Sequence, residues 1–201
     1  VTEFVLNLKQ GYFMAEFESY TDDRDGKTYR MVKIGNLVWM AQNLNFECED
    51  SFCYDDKPEN AEKYGRLYQW KSIKAACPAG LHLPSDDEWN AMLSFVRENN
   101  GGEAVGTSLK GTEDWKPCEF IAKATDRFGF SALPAGYRDD ENTFCYIGAY
   151  AFFWTSTEEK TFTHGKNLCS GYAGMYSSHQ NKEVKKGVEN PCAFSLRLVR
   201  D

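Results

Sequence analysis

This sequence has only three histidines, and no two of them stand in the HxH or HExxH spacing that seats a metal ion. Its seven cysteines are scattered instead of grouped in CxxC pairs, which removes the usual zinc framework. Gly-x-Ser-x-Gly is missing, and with it the nucleophile elbow of the common serine hydrolases. There is no basic stripe: the net charge is -7 and the pI about 5.1, which argues against nucleic acid or an anionic membrane as partner. No stretch approaches the ~18 apolar residues of a membrane span, so the chain is not expected to cross a membrane. A secretory leader is absent too. A chain that opens on Val1 reads as processed or excised, so that last absence says little about origin.

What is present is aromatic and glycine-rich. Aromatics make up 15% of the 201 residues and there are 16 glycines, a composition that predicts short strands joined by long loops in one well-buried domain. The cysteines (Cys48, Cys53, Cys77, Cys118, Cys145, Cys169 and Cys192) fall in loop-like segments, which fits an oxidising compartment. Cys48 and Cys53 are the pair expected to bridge, because four intervening residues close a small loop.

The chain is organised around Cys77-Pro78-Ala79-Gly80-Leu81-His82-Leu83-Pro84-Ser85-Asp86-Asp87-Glu88-Trp89. Pro78 stops the helix before it. Ser85 and Glu88 form a capping box, and Trp89, Met92, Leu93 and Val96 then share one helical face. Asn99-Asn100-Gly101-Gly102 supplies the stop. Upstream, Phe4, Leu6 and Leu8 alternate as a strand, and Tyr12 to Phe17 is an aromatic cluster. The polar run Thr21 to Gly26 follows and is the credible internal boundary. Thr28 to Ile34 and Leu37 to Met40 read as a hairpin about Gly35-Asn36. Residues 46–64 read as a surface loop, and a short helix runs from Trp70 to Cys77. Beyond residue 103 no helix is expected. The last clear run has Phe194, Leu196 and Leu198 alternating with Ser195, Arg197 and Val199 as a closing strand. Strands, two helices, then strands and loops spell α+β. Trp39, Trp70, Trp89 and Trp154 fall within these elements and are assigned to the core.

Several pieces in order carry a resemblance: Asp25-Gly26-Lys27-Thr28-Tyr29, Trp39-Met40-Ala41-Gln42-Asn43-Leu44, Tyr64-Gly65-Arg66-Leu67-Tyr68-Gln69-Trp70, the stretch from Cys77 to Trp89, Phe128 to Arg138, Phe153-Trp154-Thr155-Ser156-Thr157 and Ser195-Leu196-Arg197. Together they resemble the Fibrobacter succinogenes major paralogous domain, a family of bacterial secreted and surface proteins, from about Asp25 to Asp201. Residues 1–24 are then a lead-in strand or linker. The family in turn is similar to the C-type-lectin-like fold of the formylglycine-generating enzymes. The resemblance implies two helices packed on twisted antiparallel sheets, long late loops and neighbouring termini. The family often has cysteine where Leu198 stands, and another just before Tyr64-Gly65. By that comparison Cys48 replaces the missing partner of Cys53, and Cys192 serves a bridge to Cys77.

Function is expected in the late loops. Tyr146, Tyr150, Tyr172 and Tyr176, with His179, fall in or near segments 139–150 and 170–181, where tyrosine gives rigid contact area at low entropic cost. His82 reads as scaffold, beside the capping box. No cofactor is expected, except that Asp139, Asp140 and Glu141 offer oxygen ligands to calcium. Glu-Pro-Asn, the sugar motif of many animal C-type lectins, is absent; Glu189-Asn190-Pro191 has the letters in another order. The reading is a non-catalytic binding or adhesion domain, extracellular or on the outer surface of a bacterium, with a carbohydrate or a surface protein as partner. A structural domain of a larger surface assembly is the alternative. An enzyme related to the formylglycine-generating enzymes is the second, although the paired late cysteines of that activity have no counterpart here.

Overall fold

A computed structural model of the chain describes residues 15–117, 119, 123–159, 169–176, 183–189 and 191–201. The expected strand at 4–8, Cys118, His164 and His179 lie outside them. Among the described residues twelve strands and four α-helices follow in order. They are β1 (Phe17–Thr21), β2 (Thr28–Ile34), β3 (Leu37–Met40), β4 (Ser51–Phe52), α1 (Pro58–Tyr64), β5 (Leu67–Gln69), α2 (Ile73–Ala76), α3 (Asp86–Asn99), α4 (Val105–Leu109), β6 (Tyr137–Arg138), β7 (Phe144–Cys145), β8 (Tyr150–Glu159), β9 (Cys169–Tyr176), β10 (Glu183–Glu189), β11 (Ala193–Phe194) and β12 (Val199–Arg200). Every pairing between them is antiparallel, in sheets ordered β1-β2-β3-β12, β4-β5-β11-β6-β7 and β10-β9-β8. The chain is therefore α+β with antiparallel sheets and few helices.

The β2–β3 hairpin is the centre. Ile34 pairs with Leu37 across Gly35-Asn36, and Gly35 takes the positive φ of 67° that the turn requires. Its side chains divide by the two-residue period of a strand. Val32, Ile34, Trp39 and Ala41 enter one core cluster, with α3, Phe130 and Phe153. Tyr29, Met31, Val38 and Met40 enter another, with Tyr68, Trp154, Leu196 and Leu198. The hairpin is thus buried on both faces. The polar run from Thr21 to Gly26 lies inside this sheet, as the turn by which β1 returns to β2 (Thr21 opposite Thr28). Its Arg24 reaches the carbonyls of Ala75 and Ala76, which end α2.

Helix α3 forms as its sequence dictates. The Ser85 hydroxyl accepts from Glu88 N–H, and the Glu88 carboxylate accepts from Ser85 N–H at 2.7 Å. Asp86, Asp87 and Glu88 add negative charge at the positive end of the helix dipole. Trp89, Met92, Leu93 and Val96 are buried, each contributing about 1.5–3 kcal/mol. Gly101 and Gly102 end the helix at positive φ. His82 sits on the capping glutamate, Nε2 to Oε1 2.8 Å, while its backbone exchanges hydrogen bonds with Val199. The late Trp154-Thr155-Ser156-Thr157 run meets the same point: Ser156 N–H donates to the Pro84 carbonyl and Thr157 Oγ1 accepts from Asp86 N–H.

Four expectations are corrected. Residues 58–64 are helical, started by Pro58 and closed by Gly65; only Ala61 is buried, so no apolar period announces the helix. Val105–Leu109 is also helical and buried throughout, although Gly106 and Thr107 are poor helix formers. The closing strand divides into β11 and β12, with Ser195 and Arg197 buried as fully as their apolar neighbours. The Cys48–Cys53 bridge is not formed: both are free thiols, as is Cys77. Ser51 turns back onto Cys48 by two hydrogen bonds, and Ser51–Phe52 then extends against β5, carrying Cys53 away to the next turn. Trp39, Trp89 and Trp154 are fully buried as expected, whereas Trp70 is half-buried against Trp154.

Arg197 is wholly buried, donating to the Asn43 side chain and to the carbonyls of Met40, Phe130 and Ser131. Burial lowers its pKa to about 9, which leaves it charged at neutral pH. Arg197→Met strips those acceptors of their donor and is expected to cost about 4 kcal/mol in urea unfolding, the range of a broken buried network. Ser85→Ala is expected to cost about 1 kcal/mol at neutral pH. Burial pushes Glu88 up, but hydrogen bonds from Ser85 and His82 outweigh it and hold its carboxyl below the ordinary 4.5. Its contribution is therefore present above 4.5 and lost as pH falls through the lower folded value. Glu88→Gln is expected to flatten the unfolding curve's pH dependence across that acid window.

Candidate functional site

The segment from Tyr137 to Tyr150 builds a surface from the backbone outward. The β6–β7 hairpin closes over an Asp139 turn. Asp139 N–H donates to the Thr143 carbonyl, Thr143 N–H donates to Asp139 Oδ1, and Asn142 takes φ 68°. After β7 the chain reverses again. Ala149 and Tyr150 N–H both donate to the Tyr146 carbonyl, Gly148 N–H donates to Pro134, and Gly136 N–H donates to Tyr150. Gly136 is obligatory here: at φ 67° a Cβ would lie 2.4 Å from the Cys145 carbonyl oxygen and 2.7 Å from the Tyr54 ring.

This framework aligns a continuous run of rings. Tyr146 stacks on Tyr150 with centroids 4.5 Å apart and planes 17° apart, and on Tyr137 at 5.9 Å and 19°. Tyr137 and Tyr150 contact Phe152, which contacts Phe194, which meets buried Trp154 at 4.5 Å. The run therefore begins in the core and ends in water. Tyr146 is 52% exposed and holds φ 63°, a left-handed conformation that costs a bulky side chain about 1–2 kcal/mol. Burial first, then the neighbouring Cys145, Tyr146 and Asp139, push the Tyr137 phenol up to about 12, so it stays a neutral hydrogen-bond donor.

The sequence-predicted residues fare differently. Tyr146 and Tyr150 come together. Residues 170–176, expected in a loop, belong to the middle strand β9; Gly174 pairs with Phe152 and Glu183, and Gly171 falls at the register shift of both pairings. Tyr176 stands opposite Tyr150 in that register and Tyr172 opposite Trp154. Asp139 has one oxygen on the Thr143 amide and the other near the Cys145 thiol at 3.6 Å, while Asp140 and Glu141 are exposed. Among the described residues no group of three or more His, Cys, Asp or Glu side chains is arranged to hold a metal ion. Tyr137 was missed. It closes the apolar run from Phe128, and pairing β6 with β7 is what brings it beside Tyr146. The i, i+2, i+4 spacing of Tyr150, Phe152 and Trp154 was a legible signal that these rings share a strand face.

The family model described as Fibrobacter succinogenes major domain matches residues 32–200, and the chain belongs to that family. No curated protein and no solved structure gives a significant match. No helix among the described residues is long and apolar enough to cross a membrane.

Tyr146→Gly is expected to change unfolding free energy by less than about 1 kcal/mol, because relief of the left-handed strain offsets the lost stacking. Tyr146→Val keeps the strain, loses the ring, and is expected to be the less stable of the two in the same urea titration.

Proposed function

We propose that this chain is a non-catalytic binding domain whose ligand, a carbohydrate, lies against the tyrosine shelf of Tyr137, Tyr146 and Tyr150. The observation that carries this reading is Tyr146: an aromatic ring held at the surface in an unfavourable backbone conformation, stacked on rings that run back to the core. Such strain, when the surroundings enforce it, favours a functional role. A flat phenol face takes the apolar C–H face of a sugar ring. Asp140, Asn142 and Thr143 stand exposed on the adjoining turn to meet its hydroxyls. Rigid tyrosines also lose little entropy on binding.

We also infer a C-type-lectin-like arrangement. It is favoured by the return of β12 beside the N-terminal hairpin, the capped start of α3 and the long segment between α4 and β8. With it goes a place outside the cell, on the surface of a bacterium. A protein ligand docking on the same rings is the competing outcome.

The test is a glycan array with purified protein, followed by calorimetry on the best glycan with wild type, Tyr146→Ala and Tyr150→Ala. Each substitution is expected to weaken binding about tenfold, the cost of losing one stacked ring, and Tyr146→Gly, which relieves the left-handed strain, to weaken it likewise with a little-changed urea midpoint. Glycan binding that survives Tyr146→Ala would sink the shelf. An empty array, with an envelope protein captured only by wild type, would replace the carbohydrate with a protein.

A further inference from the structure

A cavity of about 360 Å³ opens between β2, the segment leaving β3, the end of α1 and residues 131–133. That volume is at the small end for ligand pockets. It shares no residue with the tyrosine shelf. Four cations line it (Lys27, Arg30, Lys63 and Arg197) against one acid, Glu62, in a chain whose net charge is -7. Two of these cations are already paired: Lys63 with Asp114 at 2.6 Å, and Lys27 with Asp25 at 3.4 Å.

Neither arginine has an ion-pair partner among the described residues. All four hydrogen bonds of Arg197 end on neutral oxygens. Arg30, which is exposed, donates to the Ser131 hydroxyl at 2.9 Å and lies over the Phe17 ring. The carboxylate that both feel is Asp126, and Ser131 stands between. Asp126 accepts from Ser131 N–H and Oγ–H, while the Ser131 carbonyl faces Arg197 and its hydroxyl faces Arg30. One carboxylate thus serves two guanidinium groups and is hydrogen-bonded to neither. Among the described residues no carboxylate is hydrogen-bonded to Arg30, whose planar fork, suited to a carboxylate, stands open to solvent.

The rest of the lining sets the class of ligand. Thr28, Gln42 and Asn45 bring hydroxyl and amide groups to the walls, beside apolar surface from Ala41, Ala61 and Leu133. The Gln42 amide oxygen is used by Arg30 N–H, which leaves its amino group for a ligand. We propose that this pocket binds a small polyhydroxylated carboxylate, a sugar acid, with its carboxylate on Arg30 and its hydroxyls on Gln42, Thr28 and Asn45. The proposal does not depend on the shelf.

Calorimetry with the full chain tests it, using glucuronate, glucose, inorganic phosphate and a short galacturonate oligomer as probes. Glucuronate is expected to bind, and glucose about tenfold more weakly or not at all. Arg30→Gln is expected to remove about that same factor with an unchanged urea midpoint, and Tyr146→Ala to leave glucuronate binding as it was. An oligomer that binds as well as the monomer identifies a chain-borne uronate; an oligomer that fails identifies the free acid. Equal affinity for glucose, tighter binding of phosphate, indifference to Arg30→Gln, or no heat at millimolar glucuronate would each overturn the assignment. Loss of glucuronate binding in Tyr146→Ala would move it to the shelf.

Discussion

A guanidinium with no water around it governs how this chain can fold. Arg197 is fully buried, and a charge in that position is tolerable only if its donors are met. They are met from two separate parts of the chain, the exit of the central hairpin at Met40 and Asn43 and the irregular segment at Phe130 and Ser131, which the arginine joins to the closing run that carries it. Asn43 extends the network, donating to the Tyr64 carbonyl at the end of α1 and to the Ser195 hydroxyl. The rings of Phe130 and Phe153 lie against the cation at 4.7 and 5.7 Å. Phe130 and Ser131 themselves lie outside every strand and helix described. Because the satisfied network is cheaper than any partly satisfied one, the arginine selects the arrangement in which all of them arrive together.

The second organising element is aromatic, and it works in the opposite direction. Trp39 and Trp89 meet at 4.7 Å and share Phe130 as an edge-on neighbour. Trp154, on the other side of the hairpin, hands the packing through Phe194 and Phe152 to the tyrosines. Stacked and tilted ring pairs contribute about 0.5–1.5 kcal/mol each beyond their buried area, so the surface rings are held by the core they extend. Tyr146 therefore needs no loop flexibility to be presented. Gly136 gives the hairpin its close approach to Cys145 and Tyr54, and without it the shelf and the hairpin under it would not fit.

Much of this was legible where one periodicity dominated. The capping box and the spacing of Trp89, Met92, Leu93 and Val96 mark α3 in the sequence because one face of that helix is buried and the other is not. The β2–β3 hairpin was legible through its turn. Helix α1 was not, since Ala61 alone is buried and its ends are set by Pro58 and Gly65. Nor was α4, where burial of all five residues overrides weak propensity. The alternation of Ser195 and Arg197 with leucines promised one polar face, yet both faces of that run are covered. For the site, Tyr146 and Tyr150 could be named because they crowd a glycine-bearing loop. Tyr137 required the β6–β7 pairing. The pocket at Arg30 required knowing that residues 101 apart in sequence, Arg30 and Ser131, share a hydrogen bond.

Backbone strain ties the two proposed surfaces together. Among the described residues the non-glycines at positive φ are Asp50, Asp55, Asp56, Asp114, Asp126, Ser131, Asn142 and Tyr146. Six of these are aspartate or asparagine, whose short polar side chains make the left-handed region cheap by bonding to nearby backbone. Asp126 illustrates it, holding the Ser131 amide at 2.7 Å. The two exceptions are Ser131 and Tyr146. Ser131 stands at the base of the charged pocket, facing both arginines; Tyr146 is the outermost ring of the shelf. Loop economy alone would have put asparagine, aspartate or glycine at both positions. At Ser131 an asparagine side chain would not leave a hydroxyl between Asp126 and Arg30, and at Tyr146 neither replacement would leave a ring to stack. The conformational cost is thus concentrated where a particular side chain is needed at the surface, which is the pattern expected of binding sites and not of turns that only reverse the chain.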